Sequence, residues 1–196
     1  MLQFVSAETA DARIGLMTRP LVNHRHTLRP AEPRDVPAIV GLITELAEFE
    51  HLAHLVQVTS QTLHPQLFGD KPVVECWVAE ASEASKSSAP AELRHVVGFA
   101  LFFTNFSTFL GKPGIYLEDL YVQPAHRGRG LGRALLQRLA ALAVERGCGR
   151  FEWSVLDWNG QAIGFYQSMG ADVMPDWRIC RVTGDALRAL AARGSH

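Results

Sequence analysis

Three stretches of the chain carry residue types that do chemistry. Residues Arg127, Gly128, Arg129, Gly130, Leu131, Gly132 and Arg133 follow the strand-like run Ile115–Val122 and open an amphipathic helical stretch. Glycines at that place let successive backbone N–H groups converge, and the helix adds the positive end of its dipole, so the run suits a phosphate or pyrophosphate. Just upstream, Glu118 and Asp119 interrupt an otherwise apolar strand, one on each alternating face. A buried carboxylate is costly unless it is paired or used. Each therefore either holds a loop or a backbone N–H, or works as an acid or base. Downstream, Asn159 precedes a helical run on which positions 162, 163 and 166 share a face. The Tyr166 phenol can donate a proton to a leaving group held within hydrogen-bond reach; otherwise it packs beside Phe165. Asn159 is a helix N-cap, a ligand contact, or both.

Spacing excludes two phosphate cradles. A nucleotide-triphosphate loop needs Gly-x-x-x-x-Gly-Lys-Ser/Thr, and no Lys-Ser or Lys-Thr follows these glycines. A dinucleotide fingerprint starting at Gly128 would need glycine where Arg133 stands. The remaining pattern, Arg127-x-x-Gly130-x-Gly132, resembles the acetyl-CoA pyrophosphate loop of the GCN5-related N-acetyltransferases (GNAT). Tyr116-Leu117-Glu118-Asp119-Leu120-Tyr121-Val122, Trp158-Asn159, Phe165-Tyr166 and Gly170-Ala171 stand in the matching order. With Glu45-Leu46-Ala47-x-Phe49-Glu50 they narrow the resemblance to the diamine/polyamine (spermidine/spermine, thialysine) branch, over about Thr27 to Val182.

The resemblance implies an α/β fold: a mixed, mostly antiparallel central sheet flanked by helices, with splayed central strands. It implies acetyl-CoA as co-substrate, held by the backbone of Leu120, Tyr121 and Val122, by Arg127–Arg133, and by Asn159 and Ala162. The splay leaves strand groups that pantetheine amides satisfy like an added strand. Glu118 is implied as general base and Tyr166 as general acid, with Phe49, Glu50, Glu118 and Asp176 facing the amine. A primary amine arrives as ammonium with a pKa of roughly 10, so its proton must leave as attack begins. Direct transfer from thioester to amine needs no nucleophilic Cys or Ser and no metal. A homodimer is implied by family analogy only.

The substrate expected is a small-molecule amine: a diamine, a polyamine or a lysine-like compound. His51-Leu52-Ala53-His54 stand where the branch is richer in acids, and Pro175-Asp176-Trp177 replaces a more acidic turn, which thins the acidic trough that a polyamine requires. His51 and His54 read as solvated histidines rather than a metal pair. Two other readings stay open: a non-catalytic acyl-CoA-binding or sensor domain, and an acetyltransferase for protein N-termini or lysines.

The elements that position these residues follow from periodicity. Thr27–Arg29 reads as a strand. Asp35 is placed to cap a helix running through Glu50, with Val36, Ile39, Val40, Ile43, Leu46 and Ala47 as its apolar stripe. Ser60–Phe68 reads as a short helix containing Pro65, and Val73–Glu80 as a strand. Ala81–Glu92 is a polar loop. Val96–Thr104 is a strand, Asn105–Gly114 an aromatic-rich loop, and Ile115–Val122 a buried strand. Leu131, Leu135, Leu139 and Leu142 share a helix face that ends at Gly147. Arg150–Leu156 is a strand, Asn159–Met169 a helix, Trp177–Val182 a last strand and Thr183–Arg193 a terminal helix.

The chain has 196 residues, 47% of them hydrophobic, enough for one core. Residues 27–193 are expected to form one domain, after an extension over 1–26; the closing Gly-Ser-His (194–196) is compatible with an appended tag. Net charge is −1 and the sequence pI about 6.7, against a nucleic-acid footprint. No apolar run approaches a membrane span and the N-terminus makes a poor signal peptide. Cys76, Cys148 and Cys180 fit neither a disulfide framework nor a zinc site, which points to a reducing cytoplasm, and Cys148 and Cys180 read as core residues.

Overall fold

A computed structural model describes residues 26–82 and 94–194. They form two compact units, one ending at Ser154 and one beginning at Val155. The expectations for residues 1–25, for 83–92 of the polar loop and for 195–196 lie outside the described residues.

The first unit holds five strands, β1 (His26–Pro30), β2 (Glu75–Ser82), β3 (Arg94–Ser107), β4 (Lys112–Val122) and β5 (Arg150–Trp153), side by side in that order. The first four pair antiparallel. β5 joins β4 in parallel, because the chain returns through α3 (Leu131–Glu145), the crossover that parallel neighbours require. The result is the mixed, mostly antiparallel sheet flanked by helices that the sequence led us to expect.

Two helices cover one face. α1 (Val36–Phe49) and α2 (Ser60–Phe68) bury Val36, Ile39, Leu42, Leu63 and Leu67 against Val78, Phe99, Leu101 and Tyr121. α3 supplies a second apolar layer through Leu131, Leu135 and Leu139, all at most 2% exposed. Asp35 occupies the α1 N-cap position but makes no side-chain cap. Its carboxylate instead accepts two hydrogen bonds from Arg29, at 2.6 and 2.9 Å, and one from the Glu32 N–H at 2.7 Å. Arg29 also reaches Glu80 at 2.6 Å, tying β1, β2 and the entry to α1 together. The competing guanidinium, fixed on a strand, explains why a cap residue is used otherwise.

The stretch expected as a loop over 105–114 is mostly strand. Asn105 pairs with Gly114, Phe106 with Pro113 and Ser107 with Lys112, which leaves a tight turn over 108–111. The ladder already running through Thr104 and Ile115 carries on to that turn, where the Leu110 N–H donates to Ser107 Oγ at 3.3 Å.

In the second unit α4 (Gly160–Ser168) and α5 (Gly184–Ala192) lie near their expected places. The strand expected over 177–182 does not form. Arg178 folds its guanidinium back onto the carbonyls of Pro175 and Trp177, and a strand without a pairing neighbour has no ladder to hold it. Cys148 is half-buried and Cys180 exposed, so of the three cysteines only Cys76 is a core residue. Among the described residues no helix is long and apolar enough to cross a membrane.

Candidate active site

The pairing of β3 with β4 slips at the Leu-Glu-Asp run. Leu117 faces Phe102 and Asp119 faces Leu101, so Glu118 has no partner and forms a bulge. The alternation that put the two carboxylates on opposite buried faces fails there. Glu118 is exposed and Asp119 is half-buried. Burial, then the charges of Glu118 and Glu50, push the Asp119 carboxyl up to about 6. Glu50, just past the end of α1, is raised by burial as well. Three carboxyls from two elements thus share one field, and such a field attracts a cation and stabilises an ammonium.

Beside the bulge, β4 loses its other neighbour. Its pairing with β5 stops at Leu117 and Trp153. The Gln123 N–H donates to the Val97 carbonyl on β3 at 2.9 Å. Residues 120 and 122, out of phase by one, therefore turn their N–H and C=O groups toward the edge that β5 has left. That edge is what strand-like addition of an extended amide chain needs.

The edge leads into the glycine run. Pro124–His126 makes a short 3₁₀ turn, and Gly128 and Gly130 follow with φ of 72° and 82°. Only glycine adopts this left-handed region without cost. Gly130 is the N-cap of α3 and has no side chain to occupy the first amides. Those of Leu131, Gly132 and Arg133 have no intrahelical acceptor, so they and the helix dipole suit an anion. Arg129 and Arg133 are exposed around them.

Arg127 is placed differently. Its Nε donates to the Val122 carbonyl at 2.8 Å. Its guanidinium carbon lies 5.5 Å from the Phe49 ring and 5.4 Å from the Tyr121 ring. Tyr121 Oη donates to Glu45 Oε2 at 3.2 Å, and Gln123 Nε2 donates to Glu45 Oε1 at 2.9 Å. Burial and then Glu45 raise the Tyr121 phenol above its ordinary value. One residue of the loop thereby joins α1 to the edge of β4.

Glu118, Glu50, Phe49, Leu120–Val122 and 127–133 all belong to the first unit. Asn159, Ala162, Tyr166 and Asp176 belong to the second. There Asn159 is an N-cap, its Oδ1 accepting the Ala162 N–H at 3.1 Å. Tyr166 lies on α4 with its ring 5.3 Å from that of Phe165. Asp119 and Glu45 emerge as parts of the site whose weight the sequence understated. Glu45 was visible in the motif at the end of α1, whereas the bulge that brings Asp119 into play leaves no mark in the residue pattern. Among the described residues no three His, Cys, Asp or Glu side chains gather to hold a metal ion.

Comparison with known proteins adds to this geometry. Residues 43–171 match the model of the acetyltransferase (GNAT) family. The chain is 40% identical to L-ornithine N5-acetyltransferase NATA1 of Arabidopsis thaliana, over 83% of this chain and 86% of that one. It is 38% identical to thialysine N-epsilon-acetyltransferase of Mus musculus, over 85% and 97%. Among solved structures, an integron cassette protein from the mobile metagenome of V. cholerae shares the fold, with a TM-score of 0.66, 24% identity, and coverage of 85% of this chain and 98% of that one. The family match and these relatives together show that the chain belongs to the acetyltransferase (GNAT) family, in its polyamine and thialysine branch.

Proposed function

We propose that this enzyme moves the acetyl group of acetyl-CoA directly onto the side-chain amine of a small basic amino acid or a comparable diamine. The observation that carries the reading is the exposed Glu118 bulge, within the field of Asp119 and Glu50, at the point where β4 leaves β5. Three carboxyls suit one or two positive charges on a short substrate better than a long polycation. The relatives named for ornithine and thialysine act, by their names, on amines of this size.

Acetyl-CoA supplies the activated thioester, and the residues present fit it. The open edge of Leu120 and Val122 takes pantetheine amides, and the left-handed turn with the first amides of α3 takes the pyrophosphate. Arg129 and Arg133 add charge around it. Glu118 removes the ammonium proton as nitrogen attacks the thioester carbon. The C–S bond then breaks and the thiolate takes a proton, for which the family resemblance assigns Tyr166. Asn159 and Ala162 on the cofactor side, and Phe49 and Asp176 on the amine side, are assigned in the same way. In this reading residues 27–193 work as one acetyltransferase domain, without a metal, as a homodimer in the cytoplasm.

The test is CoA release from acetyl-CoA across ornithine, lysine, thialysine, putrescine, spermidine and a lysine peptide, with a no-amine control. Fastest turnover on the amino acids supports the proposal. Preference for spermidine or the peptide would overturn the substrate class. Acetyl-CoA binding without acetylation of any amine would favour the non-catalytic reading.

A further inference from the structure

The Arg127 guanidinium lies against Phe49 and Tyr121, with Nε on the Val122 carbonyl. That carbonyl faces the edge of β4 where an added amide chain would pair. The ring it leans on, Phe49, directly precedes Glu50, whose charge raises Asp119. Arg127 thus touches the cofactor edge and the amine end of α1 at once.

We propose that Arg127 is a positioning residue that couples the two halves of the site. Before cofactor binds, its guanidinium occupies Val122 O and lies against Phe49. When acetyl-CoA binds, the incoming pantetheine amide takes that carbonyl, Arg127 swings toward the pyrophosphate, and Phe49 is released at the amine end. The exchange conserves hydrogen bonds: Val122 O trades a guanidinium N–H for an amide N–H, and Arg127 trades a carbonyl for a phosphate oxygen. The difference falls on the aromatic contacts, which exist only in the resting arrangement. Glu45 braces that arrangement by holding Tyr121 and Gln123 on either side of Val122.

This has a sign that a plain contact role lacks. Weakening the resting contact should make cofactor binding easier. Phe49→Leu removes the ring at a position 41% exposed, where the fold tolerates the change. Affinity for CoA, titrated calorimetrically with no amine present, is expected to rise about two- to five-fold, the worth of an exposed cation–π contact. Phe49→Met, which refills the volume without a π face, should do the same and replaces the leucine variant if that one melts abnormally. In an Arg127→Gln background the Phe49 change should leave CoA affinity within about 1.5-fold, since the partner cation is gone.

If Phe49 serves only the amine, its variants will raise the KM for amine and leave CoA affinity at the wild-type value. That result overturns the coupling, as does weaker CoA binding or an equal effect in both backgrounds. The inference rests on the acetyl-CoA reading above. A wild-type protein that binds no CoA overturns both together, whereas normal CoA binding with an inert Phe49 overturns only this one.

Discussion

The two ends of β4's open edge are built by opposite means. At the glycine turn the groups proposed to hold the ligand are backbone amides, set by φ at Gly128 and Gly130 and by the first turn of α3. At the bulge they are side-chain carboxyls, set by a one-residue slip between β3 and β4. In the proposed reading the backbone site holds the ligand that every catalytic cycle shares, and its charge is fixed. A carboxyl site can change charge with pH and can be retuned by one substitution, which suits the substrate that varies between relatives. The first kind should therefore fail through conformation, and the second through protonation.

The largest effect expected tests the carboxyl end. Glu118→Gln should lower kcat at pH 7 by a factor of order 10² to 10⁴, the usual contribution of a positioned general base. The loss should shrink as pH rises toward the amine pKa, where free amine needs no base. A pH-independent loss would instead make Glu118 an electrostatic or structural group.

The backbone end is tested at Gly130. A Cβ built there meets nothing within 4 Å, so substitution acts only through φ of 82°. Gly130→Ala should weaken CoA binding or lower stability by about 1–2 kcal/mol, the left-handed penalty for an L-residue. Gly130→Asn should cost visibly less, because asparagine tolerates that region. Equal losses for both would mean that the site uses space at Gly130 rather than conformation.

Asp119 separates the two ends through pH. Its carboxyl sits near 6, raised first by burial and then by Glu118 and Glu50. As pH falls through about 6 it takes up a proton and the amine site loses a negative charge. The wild-type kcat/KM for amine should drop there by several-fold, with CoA affinity unchanged; Asp119→Asn should be lower at pH 7.5 and lack that drop. The stability effect has the opposite sense. A folded pKa above the unfolded value of roughly 3.8 means that the ionised group strains the fold at neutral pH, a penalty relieved as pH falls through 6. Asp119→Asn should accordingly melt higher than wild type at pH 7.5 and converge with it near pH 4. A variant that melts lower at both would give the carboxylate a structural role.

The same contrast explains what could be read from the chain. Gly128, Gly130 and their place between a strand and a helix are local features, and the turn stands where spacing put it. The apolar stripe of α1 and the leucine face of α3 are local too, and both helices form near their expected bounds. The bulge at Glu118 depends on how β3 and β4 settle their register over ten paired positions, which no short window records. Asp35 was recognisable as a cap residue, but its use depends on Arg29 arriving from another element. The missing strand at 177–182 likewise turns on a neighbour, which periodicity does not supply.

The smallest effect expected lies at the foot of the glycine turn, where a row of histidines stands beside the backbone site. His26 on β1, Ala81 on β2 and His95 on β3 form one row across the sheet. His126 lies against the imidazoles at both ends, with ring centroids 5.7 and 5.9 Å apart and near-perpendicular planes. His26 Nε2 and His126 Nδ1 are 3.4 Å apart, so one must carry a proton and the other accept it. Burial, then Arg129 and His95, push His126 below its ordinary value. A depressed folded pKa means that the unfolded chain binds the proton more readily, so this contribution is present above about 6.5 and fades as pH falls toward the folded value. Between pH 7.5 and 5.5 the wild type should lose more in melting temperature than His126→Gln does. The histidines flank the turn, so CoA affinity should weaken over the same interval if they brace it. Should acidification leave the melting temperatures of the two proteins parallel, the row of histidines is packing alone, and the turn holds its shape by glycine geometry without help from the sheet beneath.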